Sequence, residues 1–174
     1  LDYFSPFYKT DKPILAIQPH GGPEGLGYQY SWTRDIPTPT VNEVLEYYKE
    51  SHTIIHIKRQ DQIIYPDTLQ ALDGFRSIAI LLQLSDKRLL VDSFTQHMAA
   101  ALNLKSTVCW ISTKPEVFGY KLHDNVKAEP FTKEPDLTAA AYNPFHLTQD
   151  IHSIPYNDLN EVFTTDKIVT SLNS

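Results

Sequence analysis

The stretch VDSFTQHMAAALNL, residues 91–104, brings an acid, a hydroxyl and an imidazole to the start of a small-residue helix. Asp92 and Ser93 follow an apolar run that predicts a buried strand, and His97 comes one helical turn after Ser93. Ser93 and Gln96 have the spacing of a capping box, which predicts a helix beginning at Asp92 or Ser93. Free N–H groups at such a helix start bind phosphate groups. The stretch therefore indicates either an anion site or a capped helix that carries a half-buried packing histidine.

Two other segments supply polar groups after predicted strands. The segment PHGGPEGLGYQYSWTR, residues 19–34, contains four of the six glycines but lacks the spacing of a dinucleotide fingerprint or a P-loop. Its rim offers His20, Ser31, Trp32 and Arg34, of which the arginine could pair with a diphosphate. The segment ISTKPEVFGY, residues 111–120, offers Ser112, Thr113 and Lys114. Each segment could equally be an ordered loop or turn without a ligand.

The elements that must position these groups alternate between strands and helices. The runs ILAIQ, TIIHIK, RLLVD, STVCWI and NVKAE predict strands, and TPTVNEVLEYYKES, DTLQAL, RSIAILLQLSD and FTQHMAAALN predict helices. Thr40 is the expected N-cap of the first helix, with Glu43 completing a capping box. In the last helix, we expect Phe94, Met98, Ala101 and Leu102 to pack on the sheet.

Because the strands are continuously apolar, the pattern predicts a mostly parallel sheet covered on both faces. We therefore expect a single Rossmann-like domain over residues 1–174, a three-layer α/β sandwich. Its core would span about residues 12–129, and an irregular wrapping segment with a terminal helix would follow over 130–174. The carboxyl ends of parallel strands share one edge, so all three polar segments should meet there.

Composition excludes some partners. The net charge is −6, and the 15 Lys and Arg residues form no cluster, so we expect no nucleic acid to bind. The single cysteine, Cys109, favours a reducing compartment, and the histidines lack metal-ligand spacing. Without an apolar run of about 18 residues, we expect a cytoplasmic chain with at most peripheral membrane association. The first residue is Leu rather than Met, so we expect a piece of a longer protein.

Read together, three segments resemble the C-terminal half of the heptosyltransferase family, glycosyltransferase family 9. They are ILAIQPHGG with YSWTRDIP, then VDSFTQHMAAAL, then VCWISTKPEVFGY, in the family's order over about residues 14–129. The resemblance implies a GT-B enzyme, in which two Rossmann-like domains face each other and a nucleotide-sugar binds mainly to the C-terminal one. It implies no metal or other cofactor. It also implies, as a partner, an N-terminal acceptor-binding domain that carries the catalytic base.

The same resemblance implies which residues bind the nucleotide-sugar. The matched positions are Asp92, Ser93, Thr95, Gln96, His97 and Thr113, with Arg34 as a substitute for the family's basic residue. At Thr95 and Gln96 the first-turn amides would meet the diphosphate. Phe94 departs from the family's Gly, and Tyr30 and Ser31 precede Trp32 where the family has a basic residue.

Two functions follow as expectations. The first is the donor-binding half of a glycosyltransferase that transfers a sugar to a cell-envelope glycan or lipid, inactive without its other domain. The second is a degenerate Rossmann-like interaction module that neither binds a donor nor catalyses. A hydrolase using Ser93 and His97 has little support, since no G-x-S-x-G elbow presents the serine.

Overall fold

A computed structural model describes residues 10–21, 33–71, 74–133 and 154–174 of the chain. Its sheet has six parallel strands in the spatial order β3-β2-β1-β4-β5-β6. The strands are β1 (Ile14–Ile17), β2 (Thr53–Ile57), β3 (Leu69–Ala71), β4 (Lys87–Val91), β5 (Thr107–Trp110) and β6 (Asp124–Lys127). The helices are α1 (Thr38–Tyr48), α2 (Phe75–Leu84), α3 (Phe94–Ala101), α4 (Pro115–Phe118) and α5 (Thr165–Leu172), with a 3₁₀ turn at Leu159–Glu161. The predicted fold class, an α/β Rossmann-like arrangement, is confirmed.

The sheet separates two apolar layers. On the first face, Leu15, Ile17, Leu89 and Val91 of the central strands pack with α1 and α5. On the second face, Ala16, Ile55 and Leu90 pack with α2 and α3. The alternation follows from the strand period of two residues, and it explains why β1 and β4 are apolar on both sides.

One strand was predicted wrongly as a helix. The run DTLQAL was predicted to be a helix, but its residues 69–71 form β3, which pairs with β2 at the edge of the sheet. Leu69 is exposed and the strand has three residues. A run of three residues is too short for its hydrophobic pattern to distinguish a strand from a helix. Residues 69–71 form a strand because they pair with β2.

Both predicted capping boxes are wrong. Helix α1 begins two residues before Thr40, with Pro37 as its N-cap and Pro39 in its first turn, where a missing N–H costs nothing. The threonine is instead buried inside the helix. Helix α3 does have Ser93 as its N-cap, but the serine side chain makes no capping hydrogen bond, and the backbone N–H of Gln96 donates to the carbonyl of Ser93 instead. The side-chain amide of Gln96 donates to the carbonyl of Phe118.

The buried face of α3 also differs from the prediction. Thr95, Gln96 and Ala99 face inward, whereas Phe94 is 37% exposed and Ala101 is exposed. The two polar residues can be buried because each has an internal hydrogen-bond partner.

The strand order creates a crevice at the centre of the sheet. Neighbouring strands β1 and β4 are followed by helices on opposite faces, α1 on the first and α3 on the second. The loops leaving the two strands therefore diverge at their carboxyl ends. In open α/β sheets, ligands bind at such a reversal of strand order.

The C-terminal residues return to the first face. Ile168 and Leu172 of α5 are buried against α1 and the sheet. The irregular segment expected after residue 130 falls mainly on 134–153, outside the described residues. Across the described ranges, none of the helices has the length and apolar character needed to cross a bilayer.

Candidate functional site

The turn from β4 into α3 lies at the crevice. Asp92 is 8% exposed, and Ser93 has an extended backbone that turns the chain into α3. A Cβ on Gly21, in the loop after β1, would meet Val91 Cγ2 at 3.1 Å and the carbonyl oxygen of Asp92 at 3.2 Å. The two loops are therefore in close backbone contact, which a glycine at position 21 permits.

The first turn of α3 leaves two backbone donors open. The N–H of Gln96 donates to the carbonyl of Ser93 at 3.2 Å, whereas the N–H groups of Phe94 and Thr95 have no intrahelical acceptor. The hydroxyl of Thr95 donates to Gln18 Oε1 beneath the turn. The side chains of Thr95 and Gln96 are thus engaged inside the domain, while the backbone N–H groups of Phe94 and Thr95 stay without an intrahelical acceptor.

His97 is exposed and linked to the loop after β5. Its Nδ1 lies 3.0 Å from the hydroxyl of Tyr120, and the two rings meet edge to face with centroids 5.6 Å apart. The side-chain nitrogen of Gln96 also lies 3.2 Å from Nδ1 and 3.1 Å from Nε2 of His97. These contacts orient the imidazole, and the residue is exposed to solvent. The histidine is therefore surface-accessible rather than packing in the core.

Phe94, which departs from the resembled family, packs against the neighbouring helix. Its ring meets Phe75 edge-on, with centroids 5.3 Å apart and planes at 83°. Phe75 is the first residue of α2, which packs on the second face of the sheet, and it is 71% exposed. The aromatic pair therefore lies at the surface, between the starts of α2 and α3.

We expect Phe94→Ala and Phe75→Ala each to lower the free energy of unfolding by about 0.5–1.5 kcal/mol, because each removes the same aromatic contact. The double variant should cost less than the sum of the two, since the shared contact is lost only once. Urea titration of the four proteins measures this coupling. Additive costs would mean that the rings do not stabilise one another.

The remaining predicted residues lie at the same edge. Arg34 is exposed and follows Thr33, whose carbonyl accepts hydrogen bonds from the backbone and side chain of Ser112. Thr113 comes three residues after the end of β5. Its hydroxyl is buried and has no hydrogen-bond partner among the described residues. The segment after β5 therefore contacts the loop after β1 through Ser112. Ser31 and Trp32 lie outside the described residues.

A buried polar cluster beside the crevice was not predicted from the sequence. His20, expected at the loop rim, is only 2% exposed; its Nε2 lies 2.9 Å from Tyr65 Oη and its Nδ1 3.3 Å from Asp35 Oδ2. Asp35 Oδ1 accepts the N–H of Gly21 at 2.8 Å. Burial raises the pKa of Tyr65 to about 12, so its hydroxyl stays protonated. The sequence feature that could have indicated this cluster is His56, a histidine within an otherwise apolar strand.

This cluster fixes the base of the loop after β1. The backbone N–H of Ile36 donates to the carbonyl of Pro19 at 2.9 Å, next to the bond from Gly21 to Asp35. Among the described residues, no group of three or more His, Cys, Asp or Glu side chains is arranged to hold a metal ion.

By sequence, neither a protein-family model nor a curated protein matches the chain. By structure, it resembles E. coli heptosyltransferase WaaC with ADP, with a TM-score of 0.55 and 15% identity over 74% of this chain and 42% of that one. It resembles E. coli ADP-heptose LPS heptosyltransferase II with a TM-score of 0.58 and 13% identity, covering 74% of this chain and 43% of that chain. It also resembles a glycosyltransferase family 9 protein from Veillonella parvula, with a TM-score of 0.60 and 9% identity over 99% of this chain and 49% of that one.

The chain thus spans less than half the length of each of these solved structures. The fold resemblance indicated by the three sequence segments is confirmed. At these identities the similarity is one of architecture, and it agrees with the all-parallel sheet and its strand order. The chain has the Rossmann-like fold that forms part of heptosyltransferases and family 9 glycosyltransferases.

Proposed function

We propose that this chain is the nucleotide-sugar-binding half of a glycosyltransferase that acts on a cell-envelope glycan or lipid acceptor. The observation that carries the proposal is the open helix start after β4, where Ser93 has no capping bond and two backbone donors have no intrahelical acceptor. The structural neighbours are glycosyltransferases, and the structure of one of them, WaaC, is a structure with ADP. The acceptor-binding domain and the catalytic base would come from the rest of the protein.

In this proposal the chain stabilises the leaving group. A base on the other domain takes the proton of an acceptor hydroxyl, whose oxygen forms a bond to the anomeric carbon of the sugar. The bond from that carbon to the diphosphate breaks, and its electron pair goes to the diphosphate. The N–H groups of Phe94 and Thr95, the hydroxyl of Ser93 and the imidazole of His97 would bind this charge. No metal is required, because these donors and the dipole of α3 face the developing negative charge.

A second candidate, an interaction module without donor binding, is favoured by the exposed Phe75 and Phe94 rings. The two candidates differ in one measurable property. The donor-binding half should bind at least one nucleoside diphosphate in a calorimetric panel of ADP, GDP, UDP and CDP. Absence of binding at millimolar concentration would instead favour the interaction module.

His97→Ala should weaken binding of the best nucleoside diphosphate about tenfold, the equivalent of one charge-assisted hydrogen bond. Loss of the contact with Tyr120 should lower the free energy of unfolding by no more than about 1 kcal/mol, so the variant stays folded. His52→Ala is the matched control: His52 lies just before β2, at the opposite edge of the sheet, and its loss should leave affinity unchanged. Equal affinities of the wild type and His97→Ala would remove His97 from the site.

A further inference from the structure

Lys58, the residue that follows β2, is a nearly buried ammonium group. It is 7% exposed, and its Nζ donates to the carbonyl of Arg59 at 2.6 Å. Across the described residues, no carboxylate lies within ion-pair distance of it. Buried charges in proteins are usually paired, and an ammonium has three N–H donors, so two donors of Lys58 have no partner among the described residues.

His56 provides a second buried group without partners. It is fully buried, and neither of its ring nitrogens has a hydrogen bond. Burial, with smaller contributions from His20 and Lys58, lowers the pKa of His56 to about 3, so the ring is neutral and presents one N–H donor and one acceptor. Because strand residues alternate, His56 and Lys58 project on the same face of the sheet. Unpaired buried polar atoms are rare in native structures and require an explanation.

The Asp35 carboxylate of this cluster is engaged elsewhere. Its Oδ1 accepts the N–H of Gly21, and its Oδ2 lies 3.3 Å from Nδ1 of His20, whose Nε2 lies beside the hydroxyl of Tyr65. Among the described residues it forms no ion pair with Lys58, so the ammonium keeps donors that no described acceptor engages. A phosphate or carboxylate group has the complementary charge and acceptors.

Lys58 lies near the carboxyl edge of the sheet, at the same level as the end of β4. Ile17 of β1 is level with both His56 of β2 and Leu89 of β4, so Lys58 is level with the last residue of β4. Two strand spacings separate β2 from β4, a distance of about 10 Å. A ribose or hexose attached to a diphosphate at α3 can span that distance. In dinucleotide-binding Rossmann folds, a basic residue near this position accommodates a phosphate on the ribose.

We propose that Lys58 and His56 form a second anion subsite, which binds a phosphate or carboxylate group that the nucleotide-sugar carries in addition to its diphosphate. The inference rests on the proposed function, since it assigns this group to the donor. The phosphate could belong to the ribose, and the carboxylate could belong to the sugar.

Lys58→Met tests the ligand-free protein first. Methionine has a similar length and no charge, and a buried charge without a partner does not stabilise a fold. The variant should therefore unfold at the same or a higher temperature in differential scanning calorimetry. Lys121→Met, at an exposed lysine, is the matched control. A clear fall in unfolding temperature for Lys58→Met alone would assign Lys58 a structural role and overturn the subsite.

Calorimetric titrations then separate the two ligand sources. One pair compares a plain nucleoside diphosphate with the same compound phosphorylated on the ribose, and the other compares a nucleoside-diphosphate hexose with its uronate. Either additional anion should tighten binding about tenfold in the wild type and in Lys121→Met, and Lys58→Met should abolish that gain. If the plain compounds bind but neither anion tightens binding, or if Lys58→Met retains the gain, the subsite is overturned while the proposed function stands. If no nucleotide binds, both are overturned.

Discussion

Ser93→Asp should weaken nucleoside diphosphate binding about 100-fold, because a carboxylate beside a diphosphate costs roughly 3 kcal/mol at an intermediate dielectric. The same change should stabilise the folded chain by about 0.5–1 kcal/mol, since Asp at a helix N-cap accepts backbone N–H groups and complements the dipole. Ser93 has no such bond, so the new carboxylate replaces nothing. Calorimetry with the best nucleotide and urea denaturation measure the two effects.

The opposite directions of these effects make the variant informative. A variant that loses both affinity and stability would have damaged the fold, whereas one that gains stability and keeps affinity would show that the diphosphate does not bind at α3. Gly74→Asp is the matched control, because Gly74 is the N-cap of α2 and a Cβ there meets nothing within 4 Å. It adds the same charge to the start of the neighbouring helix, and it should weaken nucleotide binding far less than Ser93→Asp does, since its exposed carboxylate would not lie beside the diphosphate and is screened by solvent.

The architecture could be predicted because it depends on patterns that the chain carries locally. Continuous apolar runs between amphipathic stretches indicate a parallel sheet covered on both faces, and β1, β2, β4, β5 and β6 all formed at these runs. Strand β3 could not be predicted in the same way, because it has three residues and forms through pairing with β2. The start of α1 was not predicted, because Pro37 rather than Thr40 is its N-cap. The start of α3 at Ser93 was predicted, but its capping box did not form.

The candidate site was likewise predictable where it depends on local sequence and unpredictable where it depends on contacts between distant residues. The β4–α3 turn was predictable, since a polar pair after an apolar run identifies the carboxyl end of a strand. The buried pairing of Thr95 with Gln18 was not, because the two residues are 77 positions apart. Likewise, the cluster of His20, Asp35 and Tyr65 joins the loop after β1 to the loop after β2. Only the fold could bring these residues together.

Asp35→Ala should lower the free energy of unfolding by about 2–4 kcal/mol, which is a large part of the stability of an ordinary domain. The carboxylate is 3% exposed, accepts the N–H of Gly21 and lies beside Nδ1 of His20. Its removal leaves the N–H of Gly21 without this acceptor and removes the carboxylate beside His20, in a place that water reaches poorly. Urea denaturation at neutral pH measures the loss.

Asp35→Asn separates the hydrogen bond from the charge. The amide oxygen can still accept the N–H of Gly21, so we expect about half of the loss seen for alanine. Asp11→Ala, at an exposed aspartate, should change stability by less than about 0.5 kcal/mol. Because Gly21 lies against Ser93, Asp35→Ala should also weaken nucleotide binding, even though the carboxylate contacts no ligand. If Asp35→Ala unfolds like the wild type, the cluster does not fix the loop after β1, and the close contact between the two loops must have another cause.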